Sequence, residues 1–231
     1  MRLAYLQKFS LLDYPERIAC VVFLNGCNFR CPYCYNASIV LKRRDEIDES
    51  EFFAFLDERK DKVEAVVVTG GEPTLYPDLP EFIRLIKRKG FLVKLDTNGS
   101  KPNVIRELAE SQDVDYFALD IKAWFDDYDK ATGVSGFGDR VKETAAILMK
   151  SNVEYEFRTT LVKPFLSNAG FVKIIGFIKG SKAYYLQRFD SGKELISAEG
   201  LSGFSREENE ELLKLAKASL PGTIVKLRGF Y

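Results

Sequence analysis

Strand-like runs and amphipathic helical stretches alternate along nearly the whole chain, which is 231 residues long. Runs rich in β-branched and aromatic residues predict strands, and apolar residues that recur every three or four positions predict helices. One strand and one helix together occupy roughly 30 residues, the length of a βα unit of a parallel sheet. The six predicted strands are 18–24, 64–69, 91–96, 116–121, 155–162 and 183–189.

Six helices are predicted between and after these strands, at 49–59, 79–89, 104–110, 140–150, 169–179 and 206–218. Gly90 after three basic residues and Ser205 before two glutamates are helix-end signals. We therefore predict an α/β fold: a partial (β/α)6 TIM-like barrel of parallel strands, with small edge strands near the N- and C-termini at 5–9 and 223–227. The length and a hydrophobic content of 46% fit a single domain over 1–231.

Composition excludes several classes of function. Lys plus Arg and Asp plus Glu number 34 each, so no net charge favours nucleic acid or a membrane. No apolar run approaches the roughly 20 residues of a membrane helix, and the first residues lack a signal-peptide core, so we expect a cytoplasmic protein. The chain has no histidine, which excludes Ser-His-Asp and Cys-His catalysis and histidine-ligated zinc or haem.

Three of the four cysteines lie within eight residues, in the sequence NGCNFRCPYCYN, directly after the first predicted strand. In a reducing compartment this spacing favours metal or redox chemistry over disulfides. Cys27, Cys31 and Cys34 can hold three irons of a [4Fe–4S] cubane and leave the fourth iron open. The alternative is a structural zinc site, which needs a fourth ligand from Cys20 or a carboxylate. Cys20 lies inside an apolar run and is expected to pack as a small hydrophobic residue.

The pattern C-x3-C-x-aromatic-C resembles the cluster signature of the radical S-adenosylmethionine (SAM) superfamily. The sequence TGGEP at 69–73 resembles the second motif of that superfamily, at the end of the second predicted strand. In such enzymes the open iron binds the amino and carboxylate groups of SAM, and one electron cleaves SAM reductively to methionine and a 5′-deoxyadenosyl radical. The resemblance implies a radical SAM oxidoreductase with a [4Fe–4S] cluster and SAM as cofactors.

The same resemblance implies roles for the residues after the second strand. Gly70 and Gly71 would present backbone groups to the methionine amino group, and Glu72 would hold that loop or hydrogen-bond nearby. Taken alone, these residues also fit an ordinary turn. Tyr33, before the last cysteine of the loop, fits ordinary packing or a position over the adenine ring.

Later strand ends resemble those of the glycyl-radical-enzyme activases, in LDTNG at 95–99 and LDIK at 119–122. By this likeness Lys122 would pair with the SAM carboxylate. Asp96, Thr97 and Asp120 would face the ribose, the amino group or a monovalent cation. Two residues of the fifth and sixth strands would reach the SAM carboxylate or ribose, or else lie as satisfied polar groups inside the barrel: Arg158 and Gln187.

The run 6–36 resembles most closely the activating proteins of anaerobic ribonucleoside-triphosphate reductase. This likeness implies a glycyl radical enzyme as protein substrate and a flavodoxin- or ferredoxin-like electron donor. The family often has a histidine after the last cluster cysteine, where Tyr35 stands here. Two alternatives remain: a radical SAM enzyme acting on a small molecule, similar to 7-carboxy-7-deazaguanine synthase, and a non-catalytic Fe–S or zinc binding module.

Overall fold

The strands and helices alternate as the sequence predicts, in a computed structural model that describes residues 1–41 and 45–229. The strands are β1 (Leu3–Ser10), β2 (Ala19–Leu24), β3 (Ala65–Gly70), β4 (Leu92–Thr97), β5 (Tyr116–Asp120), β6 (Glu154–Lys163), β7 (Ala183–Arg188), β8 (Ser202–Gly203) and β9 (Ile224–Arg228). The helices are α1 (Ala37–Val40), α2 (Glu49–Glu58), α3 (Leu79–Arg88), α4 (Pro102–Ser111), α5 (Tyr128–Thr132), α6 (Gly138–Lys150), α7 (Asn168–Phe177) and α8 (Arg206–Ser219).

One sheet carries the fold, in the strand order β1-β2-β3-β4-β5-β6-β7-β9. All neighbours from β2 to β9 are parallel, whereas β1 lies antiparallel to β2. The short β8 pairs with the end of β6. The predicted α/β fold with parallel strands is confirmed, and the predicted C-terminal edge strand is a seventh parallel strand. Between β1 and β9, the described residues show no pairing, so the barrel remains open on that side.

Local sequence explains where several helices begin. Asp48 precedes α2 and its carboxylate accepts a hydrogen bond from the Ser50 amide at 2.7 Å. At α8, the Ser205 hydroxyl accepts from the Glu208 amide while the Glu208 carboxylate accepts from the Ser205 amide. Such caps satisfy amide groups that the first turn of a helix leaves without partners.

Apolar side chains form two layers on either side of the sheet. The larger layer lies between the sheet and the helices and includes Cys20, Val22 and Val66. A smaller cluster fills the interior of the barrel around Val21 and Val67. Strand residues alternate between these layers because successive side chains point to opposite faces of a sheet.

The segment between β1 and β2 closes the barrel at the ends where the parallel strands begin. Tyr14 from this segment is buried in the interior cluster, with its ring 5.6 Å from that of Tyr116 at the start of β5. The cavity of the protein therefore lies toward the opposite, carboxyl ends of the strands. No helix within the described ranges has the length and apolar character needed to cross a membrane.

Candidate active site

A cavity of about 480 Å³ lies where the parallel strands end. Its walls come from the loop after β2, from the ends of β3 to β7, and from the end of β9. The cavity brings together all the residues predicted from the sequence: Cys27, Cys31, Tyr33, Cys34, Gly70, Gly71, Glu72, Asp96, Thr97, Asp120, Lys122, Arg158 and Gln187.

Backbone hydrogen bonds fasten the cysteine loop to distant parts of the chain. The Gly26 amide donates to the Ile39 carbonyl at 2.8 Å, and the Arg30 amide donates to the Thr132 carbonyl at 2.7 Å. The Pro32 carbonyl accepts from the Ser197 amide at 3.0 Å. Gly133 lies against the loop so closely that a Cβ there would be 2.7 Å from the Arg30 carbonyl oxygen. The loop is therefore held in one conformation by its surroundings.

The two glycines after β3 allow the backbone of this turn to touch the cysteine loop. A Cβ on Gly71 would lie 1.8 Å from the Gly26 carbonyl oxygen, and one on Gly70 would lie 2.2 Å from the Leu24 amide nitrogen. The Gly71 amide donates to the Leu24 carbonyl at 2.8 Å, and the Glu72 amide donates to the Gly26 carbonyl at 2.9 Å. Because glycine has no Cβ, the turn after β3 can pack directly against the backbone of the cysteine loop.

Glu72 is completely buried and joins the turn after β3 to the end of β4. Its Oε1 accepts from the Thr97 hydroxyl at 2.8 Å and from the Thr74 amide at 3.1 Å. Its Oε2 accepts from the Asn98 amide at 2.6 Å. Burial raises the pKa of this carboxyl, while the hydrogen bonds to Thr74, Asn98 and Thr97 act in the opposite direction. The Thr97 hydroxyl also accepts from the Gly99 amide at 3.1 Å, so it is engaged within the protein.

Asn98 is a cavity residue that the sequence reading did not select. Its side-chain amide donates to Asn28 Oδ1 at 2.9 Å and lies 3.7 Å from the Cys27 sulfur, within hydrogen-bond reach. The Phe29 amide also donates to the Cys27 sulfur, at 3.3 Å. Asn98 belongs to the LDTNG motif and directly follows β4, so its position at a strand end could have predicted its place in the cavity.

The three thiols of the loop suit a metal-bound state. Burial raises the pKa of Cys27 to about 12 and that of Cys31 to about 11, and it also raises the pKa of Cys34. Buried thiols become thiolates when a metal supplies positive charge. No three or more Cys, Asp or Glu side chains surround a single ion anywhere in 1–41 and 45–229. A cubane binds each thiolate through a different iron, so the three thiols of the loop need not converge on a single ion.

Cys20 lies outside the cavity that these three cysteines line. It is fully buried in the layer between the sheet and the helices, and it is absent from the cavity walls. Burial raises the pKa of its thiol to about 12. Cys20 therefore packs as a hydrophobic residue, and the geometry gives it no place as a fourth ligand beside the cysteine loop.

Charged groups at the strand ends form paired contacts. The Arg158 guanidinium donates to Asp120 Oδ1 at 2.7 Å and to Asp96 Oδ2 at 3.0 Å. The Lys122 ammonium donates to Asp120 Oδ2 at 3.2 Å. Burial disfavours the Asp120 carboxylate, but the charges of Arg158 and Lys122 outweigh it and lower its pKa to about 2. Burial also disfavours the Asp96 carboxylate, but the charges of Arg158 and Lys94 outweigh burial and lower the pKa of Asp96 below its usual range.

Two polar atoms on the cavity side lack a hydrogen-bond partner among the described residues. The Tyr33 hydroxyl is one, although its ring packs 5.7 Å from that of Phe165. The other is Asp96 Oδ1, which has the Lys94 ammonium at 3.5 Å but accepts no hydrogen bond. Unpartnered buried polar atoms are uncommon in folded proteins, and both of these belong to residues that line the cavity.

Sequence reading also missed a set of charged residues beneath these contacts. Glu156 lies two positions before Arg158 on the interior face of β6, and it is fully buried. It accepts two hydrogen bonds from Arg228 of β9, one from Lys94 of β4 and one from the Tyr116 hydroxyl of β5. Residues two positions apart on a strand face the same side of the sheet, so the spacing of Glu156 and Arg158 was the one sequence feature that placed these two charges together.

Comparisons with known proteins agree with this geometry. A model of the radical SAM superfamily matches residues 21–178. A protein of Methanocaldococcus jannaschii, whose name assigns it provisionally to the glycyl-radical enzyme activating enzymes, is 35% identical over 224 residues, which cover 94% of this chain and 92% of that protein. The pyruvate formate-lyase-activating enzyme of Clostridium pasteurianum is 30% identical over 169 residues, which cover 69% of this chain and 70% of that enzyme.

The fold is shared with a solved structure of lower identity. Streptococcus suis SuiB bound to its precursor peptide SuiA superposes with a TM-score of 0.74 at 16% identity, over 95% of this chain and 50% of SuiB. This likeness shows the fold alone, and the chain spans half the length of SuiB. The family model, by contrast, covers more than half of the chain and includes the cysteine loop. The protein therefore belongs to the radical SAM superfamily, whose members use a [4Fe–4S] cluster and SAM.

Proposed function

We propose that this protein is a glycyl-radical-enzyme activase of the type that activates anaerobic ribonucleotide reductase. The observation that carries the proposal is one cavity in which the cysteine loop faces polar strand ends, inside a barrel left open between β1 and β9. An opening of this kind can admit a peptide loop. Support also comes from the relative that is 35% identical over almost the full length of both chains.

The site residues would act by binding and orientation. A cluster on Cys27, Cys31 and Cys34 would supply the electron that cleaves SAM to methionine and a 5′-deoxyadenosyl radical. Lys122 would pair with the SAM carboxylate, since its ammonium lies in the cavity beside Asp120. Asp96 and Asp120 are held ionised by Arg158, so they would accept hydrogen bonds from the amino group and ribose of SAM or bind a monovalent cation.

Other residues would hold these groups in place and exclude water. Glu72, Gly70 and Gly71 fix the turn after β3 against the cysteine loop. Tyr33, whose hydroxyl has no described partner, would contact the adenosyl part of SAM. Gln187 lines the cavity from β7 and would reach the ribose.

The proposed reaction moves one hydrogen atom. A hydrogen atom would leave the Cα of a glycine in the partner enzyme and join the 5′ carbon that SAM supplies as a deoxyadenosyl group, which would give 5′-deoxyadenosine and a glycyl radical. The electron that starts each cycle would come from a flavodoxin- or ferredoxin-like protein. The cytoplasm is the compartment we propose, and we treat 1–231 as one domain.

The test has two stages. The cluster is reconstituted without oxygen and reduced with dithionite, SAM is added, and 5′-deoxyadenosine is measured by chromatography, with Cys31→Ala as the inactive control. The protein is then incubated with candidate glycyl radical enzymes, and a glycyl radical is sought by electron paramagnetic resonance.

Each outcome separates the competing functions. Cleavage of SAM together with a glycyl radical supports the proposal. Cleavage of SAM without a glycyl radical on any candidate partner favours an enzyme that acts on a small molecule. A cluster that forms but gives no SAM cleavage would favour a non-catalytic binding module.

A further inference from the structure

The strand that ends the described chain contributes a charged side chain to the interior of the barrel. Arg228 of β9 donates from Nη1 to Glu156 Oε1 at 3.0 Å and from Nη2 to Glu156 Oε2 at 3.1 Å. Its guanidinium lies 3.4 Å from the centre of the Tyr185 ring. Paired hydrogen bonds and stacking together fix the guanidinium plane, a geometry that lysine cannot reproduce.

Glu156 connects Arg228 to the charges at the strand ends. It is fully buried and lies 3.4 Å from the Lys94 ammonium and 4.0 Å from Arg158 Nη1. The same Arg158 nitrogen donates to Asp96 at 3.0 Å. Glu156 and Asp96 are therefore competing acceptors for one guanidinium nitrogen, and the present geometry favours Asp96.

Arg228 supplies two of the four hydrogen bonds that Glu156 accepts, and the other two come from the Tyr116 hydroxyl at 3.2 Å and the Lys94 ammonium at 3.4 Å. A buried carboxylate without adequate partners is strongly unfavourable, so it attracts the nearest cation. Without Arg228, movement of Arg158 by about 1 Å would bring its Nη1 to hydrogen-bond distance of Glu156, as the distances of 4.0 and 3.0 Å show. That movement would weaken the hold of Arg158 on Asp96 and Asp120.

We propose that Arg228 and Glu156 are positioning residues for SAM binding, because their pairing keeps Arg158 directed at Asp96 and Asp120. This inference rests on the proposed function in that the two aspartates are taken to contact SAM. It gives β9 a role in the site, beyond that of an edge strand. The role depends on the pairing of the Arg228 charge with the Glu156 charge, and substitutions can remove either charge alone or both together.

The test compares three variants with the reconstituted wild-type protein: Arg228→Met, Glu156→Gln and the double variant. SAM dissociation constants are measured by equilibrium dialysis under anaerobic conditions, and the thermal unfolding of each cluster-free protein is recorded. Arg228→Met is expected to weaken SAM binding about tenfold, as is typical for loss of a residue that orients a ligand-binding group. The double variant removes the unpaired carboxylate as well, so its affinity is expected to return to within about threefold of wild type.

Controls separate positioning from general damage. Arg206→Met removes an exposed arginine that pairs with Glu210 on α8, and its SAM affinity should match wild type. Arg228→Lys keeps the charge and loses the paired hydrogen bonds, so its affinity should lie between those of Arg228→Met and wild type. If Arg228→Met does not fold, the double variant and Arg228→Lys carry the comparison.

The proposal is overturned if the affinity of Arg228→Met equals that of wild type, or if the double variant binds SAM as weakly as Arg228→Met while both proteins are folded. A separate result bears on the proposed function. Wild-type protein that holds a cluster but neither binds nor cleaves SAM would refute the function itself, whereas normal wild-type cleavage with unaffected variants would refute only the role of Arg228 and Glu156.

Discussion

Replacing Gly71 with alanine should separate the two loops that build the site. The added Cβ would lie 1.8 Å from the Gly26 carbonyl oxygen and 2.4 Å from the Gly26 carbonyl carbon. Both are backbone atoms of the cysteine loop, so they cannot rotate away as a flexible side chain would. Relief of the clash requires one loop to move by more than 1 Å, since ordinary carbon–oxygen contacts lie well beyond 3 Å.

The cost can be worked from the contacts that this movement breaks. The Gly71 amide donates to Leu24 at 2.8 Å and the Glu72 amide donates to Gly26 at 2.9 Å, and a separation of the loops removes both bonds. Each bond contributes about 1 kcal/mol net. Overpacking of a tight contact adds about 1–3 kcal/mol. We therefore expect Gly71→Ala to lower the free energy of unfolding by about 3–5 kcal/mol, which corresponds to a fall in Tm of roughly 6–20 °C for a domain of this size.

Urea denaturation of the cluster-free protein measures this loss, and iron content after reconstitution reports on the site. The chain offers a matched control in Gly176, which lies within α7 and has no atom within 4 Å of an added Cβ. Gly176→Ala should be neutral or stabilising by up to about 1 kcal/mol, because alanine is a better helix former. A Gly71→Ala protein whose unfolding free energy stays within about 0.5 kcal/mol of wild type would refute the steric argument.

Three further predictions follow from buried groups. The Glu72 carboxylate accepts a hydrogen bond from the Asn98 amide, and in Glu72→Gln an NH2 group that cannot accept this bond takes the place of one carboxylate oxygen. This change should lower the free energy of unfolding of the cluster-free protein by about 1–3 kcal/mol in urea denaturation. An unchanged midpoint would contradict this prediction. Because the pKa of Asp120 is lowered from 3.8 to about 2, its contribution of about 2 kcal/mol is present above pH 4 and disappears as the pH falls toward 2. Unfolding of Asp120→Asn between pH 6 and pH 3 should therefore show a weaker pH dependence than wild type, and parallel curves would count against the charge pairing. Cys31→Ala should lose most of the bound iron after reconstitution, whereas Cys20→Ala should keep it; equal losses in both would contradict the separation of Cys20 from the loop.

The fold could be predicted from the sequence because the apolar residues repeat with a clear helical or strand period over short stretches. β-Branched runs such as that of β3, and helix caps such as Ser205, determine elements within a few residues of one another. The direction of β9 was not accessible, since a five-residue strand carries no mark of whether it pairs parallel or antiparallel. The short helices α1 and α5 also escaped, because four or five residues are too few for a helical period to appear.

The site was predictable where chemistry and spacing coincide. Three cysteines in eight residues predict a metal site without any knowledge of the fold, and the structure places all three on the walls of one cavity. Glu156 and Arg228 could not be identified in this way, because they are 72 residues apart and meet only through the order of strands in the sheet. Polar residues inside strands look alike in sequence, and their partners are decided by sheet register.

The anchoring of the cysteine loop also determines when the protein can receive its metal. The loop bonds to Arg2, Ile39, Thr132 and Ser197, so its conformation depends on contacts that span most of the described chain. Contacts so distant in sequence are slow to form, because the long loop between the two partners must close first. Small zinc domains differ, because there the metal drives folding. We therefore expect the three thiols of this protein to be correctly placed only when most of the chain is folded, and a cluster to enter a loop that the protein has already shaped.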